Sequence, residues 1–200
     1  MTDGGSIRKK WETRSIAARE LHMIMPSPKV IGKFVMAGWS PTRRVEVPSF
    51  IPSEHPAAQV HCQFGGLTVW KCEAGIECAT SDVVFRASPM DNGDDEVAVW
   101  QTLLDTTLVS IGDVHHGHGE LFMSTDWRCF GRSNLHEAFC FEGNDFVTAI
   151  QNILLGIRSR PMLRPDQQVV TMYGIDYTAT SPETYCYSVR QGDNSLNGSR

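Results

Sequence analysis

Nowhere in the 200 residues does an apolar run approach the roughly 18–20 residues that a membrane-spanning helix needs. The opening stretch, MTDGGSIRKKWETRS, lacks the apolar centre of a secretory signal, so the cytoplasm is the expected compartment. No two cysteines stand in a C-x-x-C pair, and Cys72 and Cys78 are too loosely spaced for a zinc knuckle. The phosphate-cradling patterns G-x-G-x-x-G and G-x-x-x-x-G-K-[ST] are missing, as is the G-x-S-x-G nucleophile turn. Common nucleotide-binding and hydrolase templates therefore find no support. There is no internal repeat and no low-complexity block.

What is present is ordinary globular material, 41% hydrophobic and 20% charged. A core of useful size needs no disulfides, and the six cysteines (Cys62, Cys72, Cys78, Cys129, Cys140, Cys186) are expected to be reduced. The net charge of −5 is unevenly spread. Residues 1–44 carry nine Lys/Arg against three acids, whereas residues 45–200 carry nine against twenty. A basic arm on an acidic body suits a phosphate backbone, an anionic lipid surface or the acidic body of another copy.

Three regions are expected: a basic arm over 1–25, a β-rich domain over 26–190 and a flexible polar tail over 191–200. In the arm, SIRKKWETRSIAARELHMI fits an amphipathic helix capped by Ser6. Prolines recur from Pro26 to Pro56, which reads as edge strands and loops, with strand composition in KVIGKFVMAGW and RRVEV. Strands are then expected in AQVHCQF, LTVWKCE, IECATSDVVFRAS, EVAVWQTLL, TTLVSIGDV, GELFMSTDWRCF and HEAFCFEG, with a hairpin turn at Asn92-Gly93. QQVVTMYGIDYTATSP reads as one more strand. One helix is expected over about 145–158: Phe146, Ile150, Ile153, Leu154 and Ile157 share a face, Asn144 or Asp145 can cap the start, and Pro161 stops the run. The fold class is thus mainly β, an antiparallel sandwich of jelly-roll type with one covering helix.

The densest chemistry lies in DVHHGHGELF, residues 113–122. As a strand it would set His116, His118 and Glu120 on one face, a nitrogen and oxygen donor set for Zn²⁺, Fe²⁺ or Mn²⁺. HHGHGE is similar to the H-x-H then glutamate motif of the cupins, and that likeness implies a small metal-dependent enzyme with one divalent transition metal. His136 would be a possible fourth ligand. As a loop interrupted by Gly117 and Gly119, the same residues need hold nothing.

The other constellations are weaker. Cys129 with His136 could suggest a thiol and its base, but WRCFG reads as a buried apolar setting. Asp91, Asp94, Asp95 and Glu96 flank a turn without calcium-loop spacing. Trp39, Trp70, Trp100 and Trp127 read mainly as core anchors, while Trp11 beside Arg8, Lys9, Lys10 and Arg14 can stack on a base.

Three features of layout remain: the basic IRKKWETR, the many short strands, and VVTMYGIDYTATSP as a last strand before a polar tail. In these the chain resembles the jelly-roll coat proteins, and related movement-type proteins, of small RNA viruses. That resemblance implies a non-enzymatic capsid subunit of a virion, without a cofactor, that self-associates as a homo-oligomer. RNA contact would run through Arg8, Lys9, Lys10, Trp11, Arg14 and Arg19. A matrix or movement role, with the arm on an anionic membrane surface, is a variant of the same expectation.

Overall fold

The computed structural model describes residues 23–89 and 95–187. In chain order its elements are α1 (Ile31–Met36), α2 (Pro56–Phe64), β1 (Thr68–Val69), β2 (Val83–Val84), α3 (Asp95–Leu104), β3 (Leu108–Val114), β4 (Gly119–Ser124), β5 (Cys129–Ser133), β6 (Ala138–Gly143), α4 (Phe146–Leu155), β7 (Arg160–Met162), β8 (Val170–Met172) and β9 (Ile175–Tyr177).

Strands β1 to β7 form one antiparallel sheet whose spatial order is the sequence order. Alternation in β4 shows how it is filled: Leu121 and Met123 enter one core, Phe122 the other. The first core joins the sheet to α1, α2 and α4 through Phe34, Val60, Phe64, Phe146 and Leu154. The second sets Val97, Trp100 and Leu104 of α3 over Phe122, Phe130 and Phe139. Both faces are therefore apolar, and strands β3 and β6 are buried along nearly their whole length. β8 and β9 form a separate hairpin that packs Val170, Met172 and Tyr177 on Ala138 and Cys140.

The expected mainly β, antiparallel class is present, and the covering helix expected over about 145–158 forms as α4, one of four α-helices among the described residues. The layers that close the sheet are helices, and the sheet itself is an open meander. α4 begins where the capping residues place it: Asp145 accepts the Thr148 amide at 2.8 Å. It ends at Leu155, short of 158, because Gly156 turns left-handed at φ 67° and closes the helix. A Cβ at Gly156 would fall on the Cys78 carbonyl oxygen, so the loop before β2 can lie on this helix end only over glycine.

Three segments expected as strands are helical. KVIGKFVMAGW contains α1, AQVHCQF is most of α2, and EVAVWQTLL is most of α3. In α2, Pro56 occupies the first turn and the His55 Nδ1 accepts the Ala57 amide at 3.1 Å, a helix start that the strand reading overlooked. Helical spacing puts Ala57, Val60, His61 and Phe64 in the core together. RRVEV forms no strand: Arg43 donates to the Gln63 and Gly65 carbonyls at 3.1 and 2.7 Å and so closes the C-terminal end of α2. The last expected strand is the β8–β9 hairpin, turned at Tyr173 (φ 55°) and Gly174 (φ 72°). The Asn92-Gly93 turn, residues 1–22 of the arm expected over 1–25, and residues 188–200, which include the whole tail expected over 191–200, lie outside the described residues.

Candidate functional site

Residues 115–117 form a tight turn between β3 and β4, with both His115 (φ 53°) and His116 (φ 56°) left-handed. That region is uncommon for any residue but glycine, and the turn is held by side chains from the segment before β2. Ser81 Oγ accepts the His115 amide at 2.7 Å, and Asp82 Oδ1 accepts the His116 amide at 2.9 Å. The loop expected in GDVHHGHGE is confined to residues 115–118, since Gly112–Val114 end β3 and Gly119–Glu120 open β4, and the continuous single-face strand does not form.

The three expected metal ligands consequently separate. His116 turns to Asp82, with Nδ1 3.4 Å from the carboxylate. His118 lines a small cavity of about 160 Å³ with His115, His136, Cys140, Glu142 and Tyr173. Glu120 lies in β4 with Arg132 of β5, its cross-strand neighbour, 2.7 Å away. Among the described residues, the donors that do come together are Cys72, Asp82 and His116, mutually within 4.8 Å. Cys129 is fully buried and burial pushes its thiol well up, which removes it as a nucleophile.

The small cavity holds the most unusual buried group. Glu142 is 9% exposed and sits over Gly131, where any Cβ would collide with its carboxylate. Its oxygens accept from the Cys140 thiol at 3.2 Å and the Ser159 hydroxyl at 2.8 Å. Burial raises its pKa, and these two donors only partly offset that effect. Burial likewise lowers the pKa of His115 despite the nearby Asp82.

A larger and more open groove, about 1120 Å³, runs beside the first turns of α2. Val47, Pro48, Ile51, Pro52 and Pro56 form its apolar side, and Trp127 faces it from the β4–β5 turn. Trp127 holds φ at 74°, a costly conformation for an aromatic residue. Glu54 supplies an exposed acid at the rim. The groove wall is fixed to the sheet by two imidazoles: the His55 and His61 Nε2 atoms meet the Thr107 and Ser110 carbonyls at 3.3 and 3.1 Å. Burial lowers the pKa of both, and His55 uses its other nitrogen as an acceptor, the pattern of a neutral ring. The proline run pointed to loops but not to this groove, because α2, which completes it, reads as a strand by composition.

A helix-padded antiparallel meander with an open groove defines a small sheet protein, and its family is settled by comparison. Residues 26–156 match the SUKH-3 immunity protein family, and the chain belongs to that family. No curated protein and no solved structure matches it. The likeness to coat and movement-type proteins is thereby overturned, and with it the capsid, virion and viral assignments. That likeness rested on strand number and charge layout, which many sheet proteins share, and it counted three helices of this chain as strands. The expected RNA-contacting residues Arg8, Lys9, Lys10, Trp11, Arg14 and Arg19 lie outside the described residues. Among the described residues, no helix is long and apolar enough to cross a membrane.

Proposed function

We propose that this chain is an immunity protein that neutralises a bacterial toxin by binding it. The observation that carries this reading is the family match over residues 26–156. The partner it suits is a basic protein domain. Twenty acids against nine bases over residues 45–200 favour a cationic surface and speed its encounter. The groove beside α2 suits a protein partner because its wall is stiff: three prolines line it and a strained Trp127 stands opposite. Little ordering entropy is then lost on binding. Trp127 would supply an aromatic anchor and Glu54 a rim charge.

Each toxin domain carried by the same genome can be expressed alone and together with this chain. One that halts growth alone should be tolerated with the chain, and the pair should co-elute as a complex whose affinity falls as salt rises. Trp127→Ala should weaken that complex at least about tenfold while leaving the fold intact. Absence of rescue and of complex formation across all such domains would refute the reading.

A further inference from the structure

The sheet register brings three chemically different donors to one end of neighbouring strands. Val69 of β1 pairs with Val83 of β2, and Val83 pairs with Val114 of β3. Cys72 follows the first of these, Asp82 precedes the second and His116 follows the third. A thiol, a carboxylate and an imidazole from three separate segments thus meet, all within 4.8 Å.

We propose that Cys72, Asp82 and His116 bind one Zn²⁺ ion through Sγ, a carboxylate oxygen and Nδ1, with solvent in the fourth position. Zinc–sulfur bonds of about 2.3 Å and zinc–nitrogen or –oxygen bonds of about 2.0–2.1 Å give tetrahedral edges of roughly 3.3–3.6 Å. The His116 Nδ1 lies 3.4 Å from Asp82 Oδ2 and the Cys72 Sγ lies 3.8 Å from Asp82 Oδ1, so the two neighbours meet opposite oxygens of one carboxylate. With the three ligand atoms all within 4.8 Å of one another, drawing them onto one ion through a single Asp82 oxygen shortens any edge by at most about 1.5 Å.

The supporting atoms point the same way. Asp82 is 8% exposed and is held by the His116 amide at 2.9 Å, so one carboxylate both shapes the turn and faces the imidazole. The backbone cost of two consecutive left-handed histidines is met where His116 is brought onto Asp82. Cys72 and His116 are both exposed, which leaves an entry path and an open coordination position. Thiolate with imidazole selects zinc over magnesium or calcium, which prefer oxygen donors throughout. On binding, the cysteine thiol releases its proton to solvent and the imidazole coordinates in its neutral form. The rival reading is a simple Asp82–His116 ion pair that pins the turn.

The test uses the full chain, reduced and freed of metal with a chelator. Zn²⁺ competition against a chromophoric chelator should give one ion per chain. Co²⁺ substitution should give the near-ultraviolet band of a thiolate-to-cobalt transition together with tetrahedral visible bands. Cys72→Ser should abolish the thiolate band, and Cys72→Ser or His116→Gln should weaken Zn²⁺ binding about 100-fold or more. Cys186→Ser, in an exposed thiol outside the cluster, should change neither. Both test positions are exposed, so circular dichroism should show wild-type folding in each variant. A wild-type chain that gives no thiolate band, or a band that survives Cys72→Ser, would overturn the site and leave the ion pair.

Discussion

Helix α2 carries one wall of the groove, and its inner face can be tested residue by residue. In a strand, Val60, Cys62 and Phe64 would share one face and be equally costly to truncate. In the helix, Val60 and Phe64 are 0% exposed while Cys62 is half-buried and lines the groove. Phe64 lies among four rings, with centroids 5.5 Å from Phe34, 6.1 Å from Trp39, 5.6 Å from Phe85 and 4.9 Å from Phe146. Four large rigid neighbours collapse poorly into a cavity, so Phe64→Ala should fall in the upper part of the usual range, about 4–5 kcal/mol. Val60→Ala, which removes two methyl groups, should cost about 2 kcal/mol. Cys62→Ser should cost less than about 1 kcal/mol, because its side chain already borders solvent. Urea titration at constant slope reads these differences, and heating should show Phe64→Ala melting roughly 8–20 °C lower. Cys62→Ser as costly as Phe64→Ala would refute the helical packing of this segment.

Two further outcomes follow from buried titratable groups. Burial holds Glu142 above the usual carboxylate range, so its contribution is full below the unfolded pKa of about 4.3 and is lost as pH rises through the folded value. Glu142→Gln should therefore gain stability over the wild type as pH rises from 4 to 8, measured by urea unfolding. Superimposable pH profiles would show instead that the fold accommodates the ionised form. His55 and His61, both buried, are held below the ordinary imidazole range, chiefly by that burial. Their contribution is present above the unfolded pKa of about 6.5 and is lost as pH falls through the folded values. The chain should thus weaken between about pH 6.5 and pH 5, and His61→Gln should remove part of that loss. A variant with the same acid slope as the wild type would show that His61 is not among the groups responsible.

The sequence by itself carried those elements whose local pattern fits only one periodicity. The β-branched and aromatic content of TTLVSIGDV and HEAFCFEG marked strands, and a cap at Asn144 or Asp145 with an apolar face marked α4. A loop in GDVHHGHGE was legible only in part: it spans residues 115–118 with Gly117, while Gly119 opens β4. Pattern failed where both periodicities fit a short apolar segment. AQVHCQF alternates well enough for a strand, and only Pro56 and the His55 cap, together with burial of Val60, His61 and Phe64, make it a helix. The Cys72, Asp82 and His116 cluster was beyond sequence reasoning for a different cause. Its members lie up to 44 positions apart, and spacing along the chain holds no information about which strand ends become neighbours. That adjacency arises from the β1–β2–β3 register, which tertiary packing alone fixes.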